Sequence, residues 1–73
     1  MLQFRTVKAS EVGGFYPPEG QQREVLHHRA RWTVVRCDHI KDGKLGLLLK
    51  RFVCGEEKRT FVPYDRPVRL IMM

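Results

Sequence analysis

The sequence contains no long apolar segment and few cysteines. A helix that spans a bilayer needs about 20 consecutive apolar residues, and no run in this chain approaches that length. The first residues, Met1 to Arg5, also lack the apolar stretch of a secretory signal. Cys37 and Cys54 are too few for the disulfide framework of a small secreted domain. We therefore expect a cytoplasmic protein with reduced thiols that does not contact a membrane.

The sequence also lacks the motifs of common catalytic sites. It has no G-x-S-x-G, no glycine-rich phosphate loop and no H-E-x-x-H. Either cysteine with a histidine would make a Cys/His pair, but a lone cysteine on a small β-hairpin is more typical of a buried apolar position. No nucleophile, base and orienting group come together in the pattern. We expect a protein that is not an enzyme and carries no cofactor.

The histidines and cysteines suggest one possible metal site. Cys37 and His39 would share one face of a strand, and Cys54 with His27 or His28 would complete a set of four zinc ligands. Structural zinc sites usually take ligands from paired C-x2-C turns, a spacing that this chain does not have. The sequence therefore favours a protein without a metal, and a zinc-stapled module remains the alternative.

Positive charge is abundant. Fourteen Lys and Arg residues against eight Asp and Glu give a formal net charge of +6 over 73 residues. A field of this sign attracts nucleic acid, an acidic protein surface or anionic lipid, although excess charge also simply improves solubility. The basic residues are grouped along the chain, which favours a contact surface.

The hydrophobic pattern predicts one β-rich domain. A chain of this length forms a single domain with a thin core. Segments 2–8, 24–28, 31–40, 45–53, 58–63 and 68–72 favour strands. Residues 10–23, which contain Gly13-Gly14 and Pro17-Pro18, are predicted to form a loop. Five or six short antiparallel strands at this spacing indicate a small, partly open barrel of the SH3-like or OB-like kind.

Asp42-Gly43 between two apolar runs predicts a tight hairpin turn. This turn would place Ile40 opposite Leu45, Arg36 opposite Leu49 and Trp32 opposite Val53. The residues predicted on the core face are Trp32, Val34, Ile40, Leu45, Leu47, Leu49 and Val53. Those predicted on the opposite face are Thr33, Val35, Cys37, His39, Gly46, Leu48, Lys50 and Phe52. Because this opposite face is only partly polar, we expect a curled sheet that is covered in part on both sides.

Candidate contact residues fall into two classes. The run from His27 to Trp32 (HHRARW) would meet phosphate through its arginines, whereas Trp32 itself is expected in the core. The candidate residues for nucleic acid or another polyanionic partner are Arg29, Arg31, Lys41, Lys44, Lys50, Arg51, Lys58 and Arg59. The candidate apolar contacts for a protein partner are Val7, Val12, Phe15 and Tyr16.

One local resemblance concerns the hairpin. Residues 31 to 61 resemble the N-terminal KOW-like barrel of elongation factor P. The shared features are the Lys-x-Gly-Lys turn at Lys41 to Lys44, the basic strand ending at Phe52, the turn at Gly55 and the Arg-Thr-Phe of Arg59 to Phe61. The resemblance implies a small barrel with Lys44 at a hairpin tip. It does not extend to that family's role on the ribosome.

In length, charge and lack of a catalytic motif the chain resembles the small transcription regulators that phages encode to bind bacterial RNA polymerase. That resemblance implies binding to bacterial RNA polymerase in the host cytoplasm, with an effect on initiation or termination. We expect a monomer whose basic face lies toward nearby nucleic acid. The alternative is a barrel that binds RNA or DNA directly, as KOW and OB modules do.

Overall fold

The computed structural model describes residues 3–17 and 19–72. These residues form six β-strands and one short 3-10 helix. The strands are β1 (Gln3–Lys8), β2 (Glu24–His27), β3 (Ala30–Lys41), β4 (Lys44–Val53), β5 (Glu56–Pro63) and β6 (Pro67–Met72), and the 3-10 helix is Ala9–Gly14. All six predicted strand segments are present, although Leu2 of the first prediction lies outside the described residues.

The strands form one antiparallel sheet in the order β1-β6-β2-β3-β4-β5. The sheet curls into a half-barrel, which confirms the prediction of a small, mainly β, partly open barrel. Strand β6 returns between β1 and β2, so the first and last strands of the chain are neighbours. No helix among residues 3–17 and 19–72 is long and apolar enough to cross a membrane.

Two-residue turns connect β2 to β3, β3 to β4 and β4 to β5. Both central residues have positive φ at His28-Arg29, at Asp42-Gly43 and at Cys54-Gly55. This is the backbone of a type I′ turn, whose twist matches that of the strands it joins. The predicted turn at Asp42 and Gly43 is confirmed.

The prediction of a loop over residues 10–23 is wrong at its start. Ala9–Gly14 forms the 3-10 helix, and the Lys8 N–H donates to Glu11 Oε1 at 3.0 Å as this helix begins. The N–H of Ala9 donates to the carbonyl of Arg66 at 2.8 Å. The helix is therefore anchored to the turn between β5 and β6, and it closes the concave side of the sheet.

The core lies between the concave face of the sheet and the 3-10 helix. Its buried side chains are Val7, Ala9, Val12, Val25, Leu47, Leu49, Val62, Val68 and Leu70. Small β-branched residues dominate this set, as expected for a thin core on a pleated surface.

Two β-bulges in β3 change the predicted register. Ile40 pairs with Leu45 as predicted, but Arg36 pairs with Leu48 instead of Leu49, and Lys50 pairs with Thr33. The shifts occur between Val34 and Arg36 and between Arg36 and His39. Each bulge adds one residue to β3, so the prediction of Trp32 opposite Val53 is also wrong.

The bulges and the long hairpin also correct the predicted faces. Ile40 is 64% exposed and Leu45 46% exposed, because both lie beside the Asp42-Gly43 tip, beyond the core. Cys37, predicted on the opposite face, instead packs against the core. Four residues lie on the core side as predicted: Leu47, Leu49, Trp32 and Val34.

Candidate functional site

The convex side of the sheet carries apolar and basic side chains together. Side chains alternate between the two faces of a strand, so the residues between the buried core positions point outward. We define the outer face by Phe4, Leu26, Arg31, Leu48, Lys50, Phe52, Arg59, Phe61, Arg69 and Ile71. Phe52 is 67% exposed and Phe4 48% exposed. The outer face therefore presents exposed apolar side chains together with charged ones.

Four basic residues cross the outer face from β6 to β5. Leu26 pairs with Arg69 on one side and with Arg31 on the other. Lys50 pairs with Arg59 on the neighbouring strand. We call these four cations, Arg69, Arg31, Lys50 and Arg59, the basic stripe. The stripe crosses five strands, a width of about 19 Å at the usual strand spacing.

Two members of the basic stripe are held by carboxylates. Arg31 makes a bidentate ion pair with Glu24, at 2.7 and 2.8 Å. The hydrogen bond to Glu24 and the charge of Glu24 raise the pKa of Arg31, which therefore stays fully charged. Arg59 donates from Nε to Glu57 at 2.6 Å. These acids orient the guanidinium groups and also compete with any external anion.

Lys50 and Arg69 are the uncompensated members of the stripe. Neither is in an ion pair with any carboxylate of residues 3–17 and 19–72. Exposed ion pairs contribute little energy, so Arg31 and Arg59 remain available to a stronger anion. Lys50 and Arg69 are available without exchanging a partner. The stripe therefore offers two to four positive contacts to a polyanion.

The ring of Phe61 lies against Gly46 of β4. A Cβ atom at Gly46 would overlap the carbonyl oxygen of Val62 and lie 2.6 Å from Phe61 Cζ. The His39 ring is 6.0 Å from the Phe61 ring. This part of the outer face is therefore close-packed, whereas Phe52 and Phe4 project from it.

The predicted basic residues divide into four places. Arg31, Lys50 and Arg59 belong to the basic stripe, and Arg29 lies in the turn before β3. Arg51 and Lys58 pair with each other on the concave side, where the Arg51 guanidinium lies 5.2 Å from the Trp32 ring centroid. Lys41 and Lys44 pair at the opposite end of the 12-residue strand β3. The structure thus separates the hairpin-tip lysines from the stripe.

The predicted apolar contacts need correction. Val7 and Val12 are buried in the core, because Val7 faces Val68 and the 3-10 helix turns Val12 inward. Their side chains are therefore not available to a partner. Phe15 packs against the core, under the Arg5 guanidinium. Tyr16 is 86% exposed and its ring contacts Arg23.

The hypothetical zinc ligands are dispersed. Cys37 packs on the core side near Gly13, whereas His39 faces Phe61 on the outer side, because a bulge intervenes between Arg36 and His39. Cys54 is exposed in a turn. Within the described part of the chain no three His, Cys, Asp or Glu side chains are placed to hold a metal ion.

Sequence reasoning missed Arg69 and the aromatic members of the outer face. Arg69 joins the stripe because β6 inserts beside β2, a long-range pairing that local patterns do not show. Phe52 was detectable, because it alternates with Leu47 and Leu49 and shares a face with Lys50.

Comparison of the chain with protein-family models, with curated proteins and with solved structures finds no match. The outer face is therefore the feature from which a function is inferred.

Proposed function

We propose that this protein is a non-enzymatic domain that binds nucleic acid through its outer face. The observation that supports the proposal best is the position of the exposed aromatics Phe4 and Phe52 on the same face as the basic stripe. A surface built for solubility alone gains nothing from exposed phenyl rings among its cations.

The two kinds of side chain have complementary roles. Arginine and lysine neutralise phosphates and release condensed counterions, which supplies affinity without sequence preference. Aromatic rings stack on bases, a contact worth about 1–3 kcal/mol per base in proteins that bind single strands. On a sheet both can act at once, because cations and rings project from one surface in fixed register. Arg69 with Phe4, and Lys50 with Phe52, would be the principal members.

Two matched double variants test the proposal. Lys50→Ala with Arg69→Ala removes two charges from the basic stripe, and Lys41→Ala with Lys44→Ala removes two charges from the distant hairpin tip. Fluorescence anisotropy with a labelled 12-nucleotide single strand measures both at low salt. We expect the first pair to weaken binding about tenfold or more and the second pair to have a much smaller effect.

Equal losses from both double variants would mean that net charge alone attracts the strand, and the outer face would not be the site. Failure of the unmodified protein to bind RNA or DNA at low salt would refute direct nucleic-acid binding. Circular dichroism of each variant establishes that the fold is retained.

We also propose, as a second candidate, docking on bacterial RNA polymerase with an effect on initiation or termination. The specific observation in its favour is the edge of β1, which is unpaired among the described residues and carries the exposed Phe4. Ile71, the cross-strand partner of Phe4, lines a pocket together with the exposed Tyr16. An exposed strand edge accepts an extended segment of a partner by main-chain hydrogen bonds. The basic stripe would then face nucleic acid held by the polymerase.

Capture of purified bacterial RNA polymerase by the tagged domain tests this candidate. Capture that survives nuclease treatment and is weakened by Tyr16→Ala or Phe4→Ala supports it. Loss of all capture on nuclease treatment would leave only the direct nucleic-acid function.

A further inference from the structure

The sheet separates locally where β2 ends. Strands β2 and β6 pair at Val25 with Leu70 and at Leu26 with Arg69. Beyond these pairs β2 turns back at His28-Arg29, while β6 begins at Pro67, which pairs with Lys8 of β1. Proline has no N–H to give to a strand on that side. An open groove of about 250 Å³ therefore lies between the β2-β3 turn and the start of β6.

The groove combines an apolar floor, aromatic rings and a polar rim. Leu26, Pro67 and Val68 contribute apolar surface, and Thr6 and Arg69 contribute polar groups. The imidazole rings of His27 and His28 line one side, with centroids 4.0 Å apart and planes tilted by 57°. A flat heteroaromatic ring suits this lining, because it can contact apolar surface with its faces and hydrogen-bond at its edge.

The groove is continuous with the basic stripe. Arg69 belongs to both, and Leu26, which lines the groove, lies between Arg69 and Arg31. A nucleic-acid strand whose phosphates follow the stripe would thus pass the groove with a base beside it. In a duplex the base is stacked and paired, whereas in a single strand it is free to turn out.

The turn that borders the groove has an unfavourable residue pair for its backbone. His28 has φ 50° and Arg29 has φ 61°. Type I′ turns favour Asn-Gly or Asp-Gly at these two positions, and the other two turns of this kind have glycine at the second position. Residues held in such a conformation are concentrated at ligand sites, where the side chains have a role.

We propose that this groove holds one unstacked base of a single-stranded nucleic acid, between the imidazole of His28 and the apolar floor. The proposal rests on the proposed function of the outer face and adds to it a preference for single strands over duplexes.

The test is His28→Asn, with Cys54→Asn as the matched control. Asparagine tolerates positive φ, so each variant keeps its turn. His28→Asn removes a ring that lines the groove, whereas Cys54 is the exposed first residue of the turn between β4 and β5 and lies outside the groove. The probes are a labelled 12-nucleotide single strand, the corresponding duplex, and a single strand of the same length made of abasic nucleotides. Binding is measured by anisotropy at several salt concentrations.

We expect His28→Asn to weaken binding of the intact single strand five- to tenfold, with no change in the salt dependence. Affinities for the duplex and for the abasic strand should not change, and Cys54→Asn should behave as the unmodified protein. If the unmodified protein binds the strand and His28→Asn binds it equally well, the groove proposal is wrong and the proposed function stands. A reduced salt dependence in His28→Asn would show a phosphate contact and would also refute it. If no nucleic acid binds at all, the proposed function itself fails.

Discussion

At the scale of single residues, Gly46 determines how the outer face packs. Phe61 occupies the space where any other residue would place its Cβ, and the carbonyl of Val62 blocks the same position. The missing side chain at Gly46 therefore allows an aromatic ring to cover β4 directly. Phe61 is half-buried as a result, while Phe52, two strand positions beyond Lys50, stays exposed.

We predict that Gly46→Ala destabilises the protein by about 1–3 kcal/mol, the usual cost of overpacking a filled site. Urea denaturation followed by tryptophan fluorescence measures this change. Gly14→Ala is the control, since nothing lies within 4 Å of a Cβ atom there and the residue does not have positive φ. An equal midpoint for Gly46→Ala and the unmodified protein would contradict the packing described for Phe61.

His27 links stability to pH. Burial, and then the neighbouring charge of His28, lower the pKa of His27 from its ordinary value of 6.5. The His27 carbonyl also accepts a hydrogen bond from Trp32 Nε1 at 3.0 Å. Because the unfolded chain binds a proton at His27 more readily than the folded chain, protonation favours unfolding. The contribution is fully present above pH 6.5 and is lost as the pH falls below that value through the lower folded pKa.

We predict that the free energy of unfolding decreases between pH 7.5 and pH 5, and decreases less in His27→Gln. Urea midpoints at a series of pH values give the comparison. The difference between the two proteins isolates His27 from the carboxylates, which titrate in both. Parallel pH profiles for the two proteins would show that His27 titrates normally in the folded state.

At the scale of elements, strands and turns were predictable but the path of β3 was not. Local alternation predicted each strand, and Asp42-Gly43 predicted its turn. Both bulges lie in the middle of β3, where Cys37 turns toward the 3-10 helix at Gly13. A bulge of this kind follows from packing between distant segments, so the register derived from the turn held only near it.

The 3-10 helix was likewise not predictable from the local sequence. Three glycines and two prolines in residues 10–23 indicated a loop, and that composition does not reveal that Ala9 and Val12 fill the concave side. The hydrogen bonds that hold the helix come from the turn between β5 and β6, more than 50 positions later. Val7 and Val12 therefore looked like surface contacts in the sequence and are core residues in the fold.

The β2-β3 turn gives a prediction about strain. Arg29 has φ 61°, a backbone conformation that is sterically unfavourable for a residue with a Cβ atom. Glycine at this position removes that steric cost but loses more conformational entropy on folding, and the net gain is about 0.5–1 kcal/mol. We expect Arg29→Gly to raise stability by that amount and to weaken nucleic-acid binding, because it removes a cation next to the groove. Arg66→Gly is the control, since Arg66 is exposed in a turn without positive φ and should lose stability. A destabilised Arg29→Gly would show that the arginine side chain supports the turn.

At the scale of the whole molecule, the net charge of +6 predicted a polyanionic partner but did not locate its site. Arg31, Lys50 and Arg59 were among the candidates predicted from the sequence, and the sheet brings them together with Arg69. Lys41 and Lys44 belonged to the same predicted set and lie at the other end of β3. The grouping of basic residues along the sequence therefore identified most of the stripe. The strand order was needed to exclude Lys41 and Lys44 from it.

The charge of the stripe sets the expected salt dependence. Two to four phosphate contacts give a slope of about −1.4 to −2.8 for log affinity against log salt on a single strand, or roughly seven- to fiftyfold weaker binding at 200 mM than at 50 mM salt. Anisotropy titrations over that range measure the slope. Lys50→Ala with Arg69→Ala should reduce its magnitude by about 1.4, and a slope unchanged in this variant would remove both residues from the phosphate path.

The curled sheet has two free edges, β1 and β5, each paired on one side. Their amides should exchange with solvent deuterium faster than those of β3 and β4, which are enclosed on both sides, since edge strands open at lower free energy. A ligand bound along the basic stripe would cross the strands from β6 to β5 and would hold these strands together. Deuterium uptake at the β5 edge should therefore slow when the site is occupied.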